Sequence, residues 1–311
     1  MTTHNLAVRR RRSSMQPRIA PWAFLSPALI LFVLFLLIPI GYAIYLSFVQ
    51  LKVDGGAFGV RRQVFVGFDN YVAALTAPEF LASLGRLATF GLISVPITLG
   101  LALLFALLLD LPGVRFTRFA RTAIFLPYAV PGVIAALLWG FMYLPTTSPF
   151  NYVLRSVGLP TLDFLNSSSI YGSLSNIAIW GGLGFNMIVM YTALRSIPTE
   201  LYEAAKIDGA NEWQIAWRIK IPLLSPALVL TLLFSLIATL QAYSEPTTLR
   251  SISSAISFSF FPLMKVYRDA FATDNISGAA ATSVVLALGT LVVSLALLRF
   301  LQRRTFEETK R

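Results

Sequence analysis

The uncharged run from Ile19 to Leu51 constrains this chain more than any other feature. At about 1.5 Å of rise per residue, a helix of this length exceeds the ~30 Å hydrocarbon core of a bilayer. Backbone groups in lipid must be paired within their own segment, so a spanning helix is the economical structure. The preceding Arg9-Arg10-Arg11-Arg12 cluster gives the run the look of a secretory leader. The apolar part of a leader covers only ~7–15 residues, and no small-residue cleavage site closes this one. It is expected to be a retained first span, at about Trp22–Phe48. Comparable runs follow at about Leu87–Leu109, Thr122–Leu144, Tyr171–Leu194, Ser225–Ser244 and Gly278–Leu298. The expected fold is all-α: a polytopic bundle of six transmembrane helices over 22–298, with tails at 1–21 and 299–311. Prolines 39, 96, 127 and 131 fall inside the spans and are expected to kink them.

Composition agrees. Of the 311 residues, 56% are apolar and 13% charged, against about 25% charged in soluble domains. There is no cysteine, and the single histidine, His4, lies in the N-terminal tail. Disulfide frameworks, thiol nucleophiles and the usual zinc sites are therefore excluded, and histidine general-base chemistry loses its base. No catalytic or metal-ligating set is visible. The net charge of +11 reads as loop asymmetry and contact with anionic membrane lipid, with no nucleic-acid partner, because the basic residues lie beside the spans.

That asymmetry orients the bundle. With both termini in the cytoplasm, 17 of the 25 Lys and Arg residues fall on the inner side, as the positive-inside rule favours. The loop between spans four and five, 195–224, is then cytoplasmic. The outer segments are longer and more aromatic. The first includes Phe65-Val66-Gly67-Phe68-Asp69-Asn70-Tyr71 and the third the uncharged stretch Ser251–Met264, and both segments can hold interfacial helices.

The 195–224 loop is polar, short and well patterned. Thr199 is expected to cap a helix that carries Glu200 and Glu203 in its first turn, where carboxylates suit the dipole. Asp208-Gly209 reads as a helix stop with glycine in the left-handed position. Asn211 can cap a second helix carrying Trp213 and Trp217, which Pro222 is expected to end. The residue types allow protein docking. They equally allow an interfacial loop with both tryptophans in the headgroup layer.

The run Glu203-Ala204-Ala205, three residues, Gly209, nine residues, Ile219, one residue, Ile221-Pro222 resembles the cytoplasmic signature of permease subunits of bacterial ABC importers. Leucine is usual where Ile221 stands. Ser26-Pro27-Ala28, the Phe65–Tyr71 stretch, Phe125-Leu126-Pro127-Tyr128 and Ile221-Pro222-Leu223-Leu224-Ser225-Pro226 are similar to carbohydrate-importer permeases of the maltose or glycerol-3-phosphate type. The resemblance spans about residues 20 to 300. It departs where Glu245-Pro246-Thr247-Thr248-Leu249-Arg250 replaces a common Gly-Gly-Pro, and where Arg86-Leu87 replaces an Asn-Thr pair. Both departures lie on the outer side, where solute and binding-protein contacts would fall.

The resemblance implies a non-enzymatic subunit that forms, with a second permease, the membrane pathway for a sugar or sugar derivative. An ATPase dimer would drive it and an extracytoplasmic solute-binding protein would deliver solute. Glu203, Ala204, Ala205, Asp208, Gly209, Ile219 and Pro222 would form the coupling loop on the ATPases. ATP and Mg would sit on those subunits, leaving no cofactor on this chain, which has no Gly-x-x-x-x-Gly-Lys-Ser/Thr run. Candidates for the solute path are Tyr128, Trp139, Asn186, Gln241, Tyr243 and Glu245, with Trp180 beside them. Asn186 is equally suited to bonding neighbouring helices. The aromatics suit belt anchoring, and Glu245 suits solvation just outside the span. A peptide or phosphate permease shares the signature, though peptide types usually continue Leu-Pro-Asn. A single-chain secondary transporter would need internal repeats and midplane carboxylates, and neither is evident.

Overall fold

The computed structural model describes residues 16–54 and 60–308, with side chains over 21–52 and 62–299. The Arg9–Arg12 cluster, His4 and the last residues of the C-terminal tail lie outside the described residues. α1 (Gln16–Phe32) continues through a π turn (Val33–Leu37) into α2 (Ile38–Ser47). The π turn answers Pro39. A proline ring clashes with the carbonyl four residues back and offers no N–H. Here the Ile38 N–H bonds to Val33 O five residues back, so the helix widens and runs on.

A hairpin that the sequence reading did not anticipate follows. β1 (Val49–Asp54) pairs antiparallel with β2 (Val60–Phe65), Val49 opposite Phe65. The Phe65–Tyr71 stretch then clamps the end of span one. Buried Asn70 donates to Ser47 O at 2.8 Å and Val49 O at 2.9 Å. Phe65, Phe68 and Tyr71 gather around Phe48. The left-handed backbone at Gly67 (φ +57°) makes the turn into α3 (Asp69–Thr76).

α4 (Pro78–Leu109) is longer than expected and passes Pro96 without a break. The third run differs more. It divides into α5 (Thr117–Phe125), a 3₁₀ turn (Leu126–Ala129) and α6 (Gly132–Tyr143), bent by 97°. Pro131 forces Val130 into an extended conformation (ψ 124°), so one straight helix over Thr122–Leu144 cannot form. α7 (Pro149–Ser156) lies in the following loop, and α8 (Ile170–Arg195) returns along α4. Next come α9 (Glu200–Ile207), α10 (Glu212–Ile215), a second π turn (Ala216–Lys220) and α11 (Ile221–Leu223). α12 (Ser225–Leu240) stops short of the expected Ser244, and the chain resumes as α13 (Ser244–Leu249). The Ser251–Met264 stretch is irregular up to Phe261, and α14 (Pro262–Phe271) begins within it. It folds inward, burying Ile256, Phe260, Phe261 and Met264, and α15 (Ile276–Glu308) follows.

Among the described residues, five helices are long and apolar enough to cross a membrane, and the bent α5–α6 pair makes a sixth if counted as one span. The core has two parts. One, toward the hairpin end, joins Leu87 and Phe90 of α4, Leu174 and Ile177 of α8, and Phe260 and Phe261. The other, toward α9, packs Ala102 and Ala106 of α4 against Met187, Met190 and Leu194 of α8, with Leu224 beneath. Small residues on one helix facing long flexible ones on the other let α4 and α8 pack closely. Gly184 serves the same end. A β-carbon there would overlap the backbone of Ile124 and Phe125, so α5 can lie against α8 only at a glycine.

Candidate functional site: a surface knuckle and a central cavity

The 195–224 loop forms a rigid knuckle. Glu200 and Glu203 occupy the first turn of α9. Thr199 holds the N-cap position, but its side chain accepts no capping bond. At the other end, Gly209 takes φ +82°. Its N–H bonds to Lys206 O at 3.0 Å, and that of Ala210 to Ala205 O at 2.9 Å, which satisfies the carbonyls left open at the helix end. Asn211 and Gln214 then exchange side-chain-to-backbone bonds, both 2.9 Å, in a reciprocal cap. Lys206 bridges to Glu212 at 2.7 Å across the turn. The turn between α9 and α10 is thus held by local bonds. Glu203, Ala204, Asp208 and Gly209 are exposed, Ala205 is half-buried and Ile207 is 86% exposed. Trp213 and Trp217 pack on each other and are also exposed.

Pro222 does not end the second helix, as the sequence suggested. The Ile221 N–H reaches Ala216 O five residues back, the device used before Pro39, and helix continues to Leu223. Ile219 is half-buried and Pro222 exposed.

Beneath the knuckle lies a charged anchor that sequence reading missed. Asp110 stands at the C-terminal end of α4, where a carboxylate opposes the helix dipole. Lys220 Nζ meets Asp110 Oδ2 at 2.6 Å, with side chains 6% and 4% exposed. Arg195, at the end of α8, approaches the same carboxylate at 3.8 Å. Tyr202 of α9 turns inward and lies under the Lys220 ammonium, 4.9 Å from ring centre to Nζ. Burial pushes the Tyr202 phenol upward, the Asp110 charge adds to this, and Arg195 opposes it. Lys220 therefore ties the knuckle to the end of α4, and Arg195 brings the end of α8 to the same carboxylate. A carboxylate at a helix C-terminus was the available signal, but its partner is remote in the sequence.

Between the two core clusters a cavity of about 600 Å³ opens, within the usual range for a small-molecule site. Five of the six sequence candidates line it: Tyr128, Asn186, Gln241, Tyr243 and Glu245. Trp139 does not. It packs in the hairpin-end cluster, stacked on Phe150 and edge-on to Trp180. Asn186 bonds to a neighbouring helix and also lines the cavity. Its Nδ2 donates to Gly182 O at 2.8 Å and its Oδ1 accepts from Ser235 of α12 at 3.4 Å, at the cavity wall. Tyr128 stacks on Phe185 with centroids 5.1 Å apart, a paired aromatic wall of which sequence had pointed only to one half. Ser94, Thr98, Ser235 and Thr239 add hydroxyls from α4 and α12. Gly132 opens α6 beside Glu245: a β-carbon there would fall 2.5 Å from a Glu245 carboxylate oxygen.

The model of the family described as "binding-protein-dependent transport system inner membrane component" matches residues 98–307, which hold the knuckle and most of the cavity wall. The chain belongs to this family. It is a permease, an inner-membrane component of a binding-protein-dependent transport system. Among similar proteins is the sn-glycerol-3-phosphate transport system permease protein UgpA of Brucella suis, 31% identical over 92% of this chain and 96% of the relative. The diacetylchitobiose uptake system permease protein NgcF of Streptomyces coelicolor is 31% identical over 91% of this permease and 82% of its own length. In solved structures, the permease is similar to a chain of a bacterial ABC transporter involved in the import of the acidic polysaccharide alginate. The TM-score is 0.79 at 25% identity, covering 92% of this chain and 96% of that one. The relatives are permease subunits rather than enzymes.

Proposed function

We propose that this permease forms, with a second permease subunit, the membrane pathway for a sugar or sugar derivative, and that separate ATPase subunits drive it. The observation that carries the reading is the α9 knuckle, a rigid, exposed helix end tied by Lys220–Asp110 to the bundle that surrounds the cavity. Force applied to the knuckle reaches α4 through the Lys220–Asp110 pair and α8 through the short chain link that joins it to α9, and these two helices line the cavity. Closure of an ATPase dimer against the knuckle would then tilt the walls between inward- and outward-open arrangements. Glu203 would meet a basic group on the ATPase, Ala204 would allow close approach, and Gly209, Ile219 and Pro222 would hold the shape. ATP and Mg would bind the ATPases alone. Both termini and the knuckle would face the cytoplasm, and the hairpin end would face the solute-binding protein. Tyr128, Asn186, Gln241, Tyr243 and Glu245 would contact the solute. The solutes named for the relatives, a glycerol phosphate, a chitobiose derivative and a polysaccharide, share the hydroxyl-rich chemistry that such a wall suits.

Uptake by the reconstituted assembly tests this. Glu203→Lys should abolish ATP-driven uptake while the permease still inserts and pairs. Unchanged uptake would remove the docking role.

A further inference from the structure

The central cavity has a charge pattern that its overall polarity conceals. Its lining holds hydroxyls, amides and aromatic faces, one carboxylate, Glu245, and no lysine, arginine or histidine. Among the described residues, the Glu245 carboxylate makes no hydrogen bond and no ion pair. Two arginines stand near the wall without lining it, and neither pairs with Glu245. Arg250, five positions on, lies over the Phe258 ring at 3.7 Å. Arg86 donates to the carbonyls of Ser259 and Phe260, at 2.9 and 2.8 Å.

The local structure leaves room for that carboxylate at the cavity wall. It stands over Gly132, the first residue of α6, where the absence of a side chain leaves room for it. A helix N-terminus carries about half a positive charge and favours an anion there. The breaks at Val130–Pro131 and at Gln241–Tyr243 bring these two positions together. A fixed negative charge in a confined, mostly apolar space is weakly screened compared with one in bulk water.

We propose that Glu245 makes this cavity selective by charge: it accepts neutral sugars, favours sugars bearing an amine, and disfavours sugar phosphates and uronates. This inference rests on the sugar-permease reading and deepens it. It also separates this permease from the glycerol-3-phosphate and alginate systems to which it is similar, whose named solutes are anionic.

The test is equilibrium dialysis of the permease–ATPase assembly in nanodiscs, without binding protein, against three radiolabelled disaccharides of one shape. Cellobiose is neutral, the glucosamine disaccharide carries amines, and cellobiouronic acid carries a carboxylate. The wild-type protein should bind the amine probe best and the acid least. Glu245→Gln should compress the amine-to-acid ratio by at least about tenfold, since it removes one charge at short range. Glu245→Asp should largely retain the ratio, which guards against a mere packing defect. Acid binding equal to cellobiose in the wild-type protein, or a ratio unmoved by Glu245→Gln, overturns the charge assignment while leaving the sugar reading in place. No binding of any probe to the wild-type cavity overturns the sugar reading and the inference with it.

Discussion

Separating Lys220 from Asp110 should weaken the permease and uncouple it at once. The two side chains are 6% and 4% exposed and their charged atoms lie 2.6 Å apart. Removing one member of such a pair leaves an uncompensated buried charge, at a cost of about 3–5 kcal/mol. The structure orders the two single variants within that range. Lys220→Met leaves Asp110 with Arg195, which is 3.8 Å away and 63% exposed, so some compensation remains. Asp110→Asn leaves Lys220 with an amide and the Tyr202 ring, so it should fall nearer the upper end. The double variant removes both charges and should be destabilised by much less than the sum, giving a coupling of at least ~2 kcal/mol. Denaturation by SDS titration in mixed micelles measures all three. In the reconstituted assembly the single variants should hydrolyse ATP with little uptake, because the knuckle has lost its tie to α4. Single-variant effects below about 0.5 kcal/mol that simply add would show the pair to be a surface contact and refute the anchor.

Two further outcomes follow from glycines. Gly184→Val should prevent α5 from lying against α8, because its β-carbon would overlap the Ile124 and Phe125 backbone; membrane yield should collapse, and normal yield with normal uptake would contradict the packing. Gly209→Ala places a side chain at φ +82°, which costs roughly 1–2 kcal/mol. It should lower uptake by loosening the knuckle without reducing insertion, as uptake and membrane yield measured together would show.

The knuckle was legible because its determinants are local. Asp208-Gly209 and Asn211 act within a few residues, and the left-handed glycine and the Asn211 cap appear where the spacing places them. Prolines were only half legible. Pro39 and Pro222 have the same chemistry as Pro131, yet π turns absorb the first two, while Pro131 breaks its helix with a 97° bend. The outcome depends on whether the neighbouring carbonyls can find other donors, and packing decides that. Asp110 and Lys220 could not be paired from a single sequence, because the fold alone joins them. Five of the residues that line the cavity stand out in the sequence as polar or aromatic groups in or beside apolar runs. Trp139 carried the same signal as Tyr128 but lies beyond the bend, facing a packed cluster.

The account depends on the knuckle being the seat of the ATPase. The absence of native cysteine makes this directly measurable, since Ala204→Cys introduces a single thiol on an exposed face of α9. Its labelling by a membrane-impermeant maleimide is followed in inside-out vesicles, with and without the ATPase subunits. The account predicts rapid labelling of the bare permease and strong protection once the ATPase is bound. A thiol that labels equally with and without the ATPase, or one that labels only in right-side-out vesicles, would contradict it.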